Sequence, residues 1–284
     1  MVGQARQRAR AWLDSPELER VLAVFGAADM ERATPGLALW SSGLLDTRGG
    51  RERQLVESTD WSREQVDVLL AAGEALGLVR TAPPMEGAYD HTIVMAGTTT
   101  ANRLRVALAE SASRAGVELG MVVGLASSRE LPDWERARHA DVVNDREWGD
   151  LATVLARTFG GAPATAPRDD ELDLSLSRTP ARELRILSAP DPSSGLRADS
   201  AQALDYLLSR LKRPLRRVLV VTSSIYAPYT FFVAFGRLAG VSPTSIEVVG
   251  TSTDVTDAGP ALAQRFAQEI NSTLWAIDRY VTDV

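Results

Sequence analysis

Residues 93–106 read IVMAGTTTANRLRV: a short apolar run, then a glycine, three threonines, an asparagine and two arginines. Small residues let a ligand approach the backbone. Hydroxyls and helix N-terminal amides donate to anionic oxygens, and arginine grips phosphate or carboxylate with two parallel bonds. Gly97, Thr98, Thr99, Thr100, Asn102 and Arg103 are therefore candidate ligand groups. Similar residues follow four later apolar runs. Ser127, Ser128, Arg129 and Glu130 follow VELGMVVGLA; Ser193, Arg197, Asp199 and Ser200 follow ELRILSAP. Thr222, Ser223, Ser224 and Tyr226 follow RRVLVV, and Gly250 to Asp254 follow SIEVV. Loops favour such residues and hydroxyls cap helices, so any one of them reads first as structure. Their recurrence at all five ends reads as a ligand pocket.

Among carboxylates, Glu130 and Glu135 follow the second run, and Glu130 has the better position. It is either a general base, an acceptor for a ribose hydroxyl, or a salt-bridging partner beside Arg129. Tyr226 and Tyr229 flank Pro228 and either stack on a ligand ring or pack the start of a helix. Trp275 and Tyr280 read as core.

The elements that must position these groups change character along the chain. Residues 1–85 form an N-terminal helical segment: ARAWLDSPELERVLAVFGAADMERA, a glycine-containing connection, then SREQVDVLLAAGEALGLV. Ser62 is the expected N-cap of the last, with Gln65 completing a capping box. The prolines and glycine of TAPPMEGAYD mark a linker. From residue 90 to 284, about five strands alternate with helices, including NRLRVALAESASRAG, REWGDLATVLARTFG, ADSAQALDYLLSRL, PYTFFVAFGRLAG and a long final helix. Residues 161–181, GAPATAPRDDELDLSLSRTPA, read as an exposed polar excursion. Apolar runs alternating with helices predict an α/β, Rossmann-like, doubly wound and mainly parallel sheet, whose ligands bind at the carboxyl ends of the strands.

Composition removes several chemistries. There is no cysteine, and so no disulfide, thiolate nucleophile or cysteine metal site. The basic residues are arginines apart from Lys212, and no Gly-Lys-Ser/Thr phosphate loop occurs. With only His91 and His139, no HExxH helix exists, and there is no GxSxG elbow. The first turn carries Gly97 alone rather than GxGxxG, so a classical NAD fingerprint lacks support. The formal net charge of -6 argues against a nucleic-acid partner. No apolar run is long enough to cross a bilayer and no signal-peptide pattern is present, so the expected location is cytoplasmic with no membrane partner.

A first strand ending in AGT, a glycine-bearing second strand followed by glutamate, a third strand followed by RADSAQ, and a fourth reading VLVVTSSIY together resemble the ElyC/SanA/YdcF family of bacterial proteins. The ending INSTLWAIDRYV and the helical segment ahead of the first strand resemble its soluble YdcF-like branch. The likeness spans about residues 90–284. The family pattern after the third strand is approximately Ser-x-Asn-Thr-x-Glu-Asn, where this chain has Arg197, Asp199, Ser200, Gln202 and Ala203. After the fourth strand, Thr222 and Ser223 match, but Ile-Tyr-Ala-Pro-Tyr replaces the family's histidine and arginine.

The resemblance implies binding of S-adenosylmethionine and narrows the ligand more than the reaction; a related nucleotide is the neighbouring ligand reading, and an S-adenosylmethionine-dependent transferase is the enzyme class such a ligand would suit. On that reading Gly97 permits close approach and Thr98 to Thr100 donate hydrogen bonds. Asn102, Arg103, Arg129 and Thr222 line the cofactor, while Arg197, Asp199 and Ser200 hold its polar tail. Ser223 and Tyr226 close the pocket, with Glu130 and Tyr226 as catalytic candidates. Two alternatives stay open: a tailoring enzyme of specialised metabolism acting on a carboxylated or aminoacyl substrate without a nucleotide, and an effector-sensing regulator. The regulator reading has residues 1–88 against it, which hold ten arginines and thirteen acids. A small-molecule ligand is the expected partner, and a homodimer stays open.

Overall fold

The computed structural model describes residues 2–28, 34–47, 59–139, 142, 144–162, 173–178, 183–190, 198–211, 214–241, 244–256 and 258–281. The chain falls into two compact units. One comprises Met1–Thr81, Ser224–Gly236 and Ser252–Val284; the other comprises Ala82–Ser223 and Arg237–Thr251.

The first unit is helical. α1 (Val2–Leu13), α2 (Pro16–Val24), α3 (Thr34–Leu44) and α4 (Arg63–Ala75) come from the N-terminal part, and α10 (Pro260–Tyr280) closes the chain. The sequence reading ran α1 and α2 together. Ser15 separates them, because its hydroxyl accepts from Leu18 N–H and Pro16 takes the first helical position, where a missing N–H costs nothing. The expected glycine-containing connection includes α3, whose apolar residues Leu37 and Ala38 are buried. At α4, Ser62 and Gln65 form the expected reciprocal capping box. Gly73 leaves room for the Phe266 ring, which would lie 2.2 Å from a Cβ there. Of the two aromatics read as core on α10, Trp275 is instead exposed and donates from Nε1 to Ser42 Oγ at 2.5 Å.

The second unit is α/β. Its sheet is β1 (His91–Met95), β2 (Met121–Ser127), β3 (Asp173–Arg178), β4 (Glu183–Ala189), β5 (Arg217–Ser223) and β6 (Ser245–Thr251), in the order β3-β4-β2-β1-β5-β6. All neighbours pair parallel except β3 with β4. The sheet therefore has six strands rather than about five. β3 arises inside the segment read as an excursion. Its leucines, Leu174 and Leu176, recur at the strand period and pack on the core, while the intervening serines and acids had made the segment look solvated.

β1 and β2 are buried along their whole length on both faces, which is why they read as continuous apolar runs. α5 (Thr99–Arg114) and α7 (Glu147–Phe159) join one face, where Val94, Val106, Val122, Trp148, Leu151, Leu155 and Val221 form the core. α8 (Ser200–Arg210) packs on β2 and β4. Gly124 of β2 makes room for α7, since a Cβ would lie 2.6 Å from both Leu155 of that helix and Ile186 of β4. After β5 the chain enters the helical unit with a 3-10 turn at Ser224–Tyr226 and α9 (Ala227–Leu238), which belongs to that unit as far as Gly236. Among the described residues, no helix is long and apolar enough to cross a membrane.

Candidate functional site

The carboxyl ends of β1, β2 and β5 and the amino ends of α5 and α7 bring together a cluster of guanidinium, carboxyl and amide groups. α5 starts at Thr98, whose hydroxyl caps it by accepting from Ala101 N–H at 3.3 Å. Its first turn then folds inward. Asn102 is fully buried; its Oδ1 accepts from Gly97 N–H at 2.8 Å and its Nδ2 donates to Asp150 Oδ2 at 2.8 Å. Arg103 donates to Thr99 O at 2.8 Å and to Asp150 Oδ1 at 3.0 Å. Asp150 comes from the first turn of α7 and is itself buried.

One turn further along α5, Arg105 runs back beneath the turn. Its guanidinium donates to Met95 O and Ala96 O at 2.8 and 2.7 Å, and to Ser223 Oγ at 3.2 and 3.1 Å. This buried arginine ties the last residues of β1 and β5, which are neighbours in the sheet. It also accounts for Gly97, where a Cβ would sit 2.9 Å from the guanidinium and 3.2 Å from Ala101 Cβ. In this structure the glycine admits a side chain of the protein itself.

After β2, Arg129 is the hub. It donates to Glu135 at 2.7 and 3.1 Å, to Glu147 at 3.3 Å and to Gly97 O at 3.3 Å. Burial alone pulls this guanidinium down; the hydrogen bonds and negative charges of Glu135 and Glu147 outweigh it and raise Arg129 above its ordinary value. Glu147, in the first turn of α7, also accepts from Ser127 N–H at 3.1 Å and Ser127 Oγ at 2.7 Å. Glu135 lies on the short helix α6 (Asp133–Arg136) and is almost completely buried. Its Oε2 accepts from Thr99 N–H at 3.2 Å, and its carbonyl accepts from Thr99 Oγ1 at 3.3 Å. Thr100 Oγ1 meets His139 Nε2 at 3.0 Å.

The structure thus joins Gly97, Thr98, Thr99, Thr100, Asn102, Arg103, Arg129 and Ser223 of the sequence-derived set. Asp199 serves as N-cap of α8, accepting from Gln202 N–H while Gln202 returns a bond to its backbone; Ser200 is the next residue. Thr222 is buried within β5, and Tyr226 lies in the 3-10 turn that belongs to the helical unit. Glu130 faces outward, with its side chain 77% exposed and 3.5 Å from Arg146. Arg197 lies outside the described residues.

Three members do not stand out in the sequence: Arg105, Glu147 and Asp150. Glu135 does, but behind Glu130, and the structure reverses that order. The i,i+3 spacing of Glu147 and Asp150 puts both on one face of α7, but acids in a first helical turn read as dipole partners. Arg105 is three residues after Asn102, a spacing that places it above the same turn. Among the described residues, no group of three histidine, aspartate or glutamate side chains is arranged to hold a metal.

No protein-family model matches the chain, and no solved structure matches it. Uncharacterized proteins of Mycobacterium bovis and of Mycobacterium tuberculosis strains are similar to it. Each is 27% identical over 248 residues, covering 80% of this chain and 69% of the relative.

Proposed function

We propose that the second unit is a Rossmann-like, doubly wound domain that binds a small anionic ligand at the carboxyl ends of β1, β2 and β5. Counted alone, the parallel strands run third, second, first, fourth, fifth across the sheet, and the order reverses between β1 and β5. Ligands of such sheets bind at that reversal. The observation that carries the reading is the cluster of Arg103, Arg105, Arg129, Glu135, Glu147 and Asp150 at this end. Buried ion pairs add little net stability over apolar packing, so their concentration in one place marks a site more than a scaffold.

S-adenosylmethionine is the candidate that the family resemblance implies. The donor set suits its parts: arginines for a carboxylate, buried acids for ribose hydroxyls. The first turn, however, offers no open cradle in this structure. Gly97 N–H is taken by Asn102, Thr99 N–H by Glu135, and the space beside Gly97 by Arg105. The ligand therefore does not fit the turn as it stands, and no transfer step is derived for it.

Calorimetry with S-adenosylmethionine, its demethylated product and a panel of adenine nucleotides tests the reading. Micromolar binding of the first two alone supports a transferase class. No binding by any of them removes the nucleotide and leaves a small-substrate protein, acting on a carboxylated molecule, as the better account.

A further inference from the structure

The segment after β2 returns on itself before α7 begins. Leu131 N–H donates to Asp145 O at 2.6 Å and Glu147 N–H to Arg129 O at 2.9 Å, while Glu130 and Arg146 form an antiparallel bridge. Arg146 also donates to Ser128 O at 2.9 Å. Its two ends are thus stapled together, as in compact loops whose ends lie close. Beyond this neck, the described residues 132–139 touch the first turn of α5 at three polar points. These are the Glu135 carboxylate on Thr99 N–H, the Glu135 carbonyl on Thr99 Oγ1, and His139 on Thr100. Trp134, on the same short helix, stays 48% exposed.

A carboxylate held between a helix N-terminal amide and an arginine is where the helix dipole and the guanidinium would otherwise receive an external anion. Glu135 satisfies both from within the chain. We propose that residues 132–139 form an autoinhibitory latch: an external phosphate or carboxylate reaches Thr99 N–H and Arg129 only by displacing Glu135. The proposal rests on the reading that the strand ends receive an anionic ligand, and it resolves why the first turn is closed. The backbone staples at 129–131 and 145–147 stay outside the exchange.

Inorganic phosphate is the probe, titrated by calorimetry into the full chain and its Glu135→Gln variant. The amide keeps the side chain's shape and removes its charge. Phosphate affinity should rise about ten-fold or more in the variant, because one charge-assisted contact no longer competes. Hydrogen exchange over residues 97–102 should slow with phosphate in the variant, and adding Arg129→Gln should abolish the gain. Equal affinity in a folded Glu135→Gln protein overturns the latch.

Should that variant not fold, the double substitution Thr100→Val with His139→Ala loosens the loop without touching Glu135 or Arg129. Faster exchange over 131–139 together with a gain in phosphate affinity supports the latch, and no change in either overturns it. A gain for phosphate with no binding of S-adenosylmethionine by any variant keeps the latch and removes that ligand. Equally tight S-adenosylmethionine binding to wild type and Glu135→Gln keeps the ligand and removes the latch.

Discussion

Arg129 shows how much one side chain carries at the carboxyl end of this sheet. Glu135 and Glu147 are both buried and both lean on its guanidinium. Removing the cation leaves two buried carboxylates without it, and breaking such a pair costs about 3–5 kcal/mol. Arg129→Ala should therefore lower unfolding stability by about that amount in urea denaturation. Glu130→Gln, one residue away, removes only a solvent-exposed pair with Arg146 and should change stability by less than about 1 kcal/mol. A comparable loss in both variants would show that the cluster is less tightly coupled than its geometry implies. The same pair of substitutions separates two carboxylate roles. If Glu130 receives the ligand, Glu130→Gln weakens binding without destabilising; if the buried acids do, Glu147→Gln weakens it.

At the scale of elements, small residues decide how closely helix and strand approach. Gly124 sits in β2 beneath α7, with Leu151 and Leu155 of that helix and Ile186 of β4 filling the space of its missing side chain. Gly124→Ala forces these side chains to move, and such overpacking costs about 1–3 kcal/mol. The expected sign is destabilising, read as a lower melting temperature with the secondary structure unchanged by circular dichroism. Leu176→Ala tests β3 in the opposite sense. It leaves a cavity at a buried position of the edge strand, and about 2–5 kcal/mol is the usual range for such a truncation. A loss near zero would mean that β3 adds little to the core.

Across the whole molecule, the two ends of the sheet are built differently. At the amino end, Asp90 accepts from the Arg217 backbone N–H at 2.9 Å and faces its guanidinium at 3.6 Å, joining the starts of β1 and β5. The backbone hydrogen bond from Arg217 holds the Asp90 carboxyl below its ordinary range, its guanidinium charge adding to the effect and partial burial opposing it. A carboxyl depressed in the folded state stabilises fully above its unfolded value, about 3.9, and that contribution fades as pH falls through the folded one. Asp90→Asn should therefore lower stability at pH near 7 and differ little from wild type at strongly acid pH. Denaturation midpoints across that range check the sign, and a deficit that persists undiminished in acid would assign Asp90 a packing role instead.

The sequence by itself determined what depends on local order. Strand-helix alternation, the cap at Ser62 and the ligand-like chemistry of residues 97–103 follow from periodicity and short-range hydrogen bonding. Those forces act over three or four residues, so they are legible in a string. Only the tertiary structure decided which charged groups meet. Arg105 reaches Ser223 across 118 positions, and Asn102 reaches Asp150 across 48. Glu135 rather than Glu130 turns inward because the loop folds back on α5, a choice that two glutamates five residues apart do not reveal. The edge strand β3 likewise becomes a strand through its ladder with β4, with only two leucines to announce it. Long-range pairing is set by the sheet order that brings distant segments side by side, and that order is a property of the folded chain as a whole.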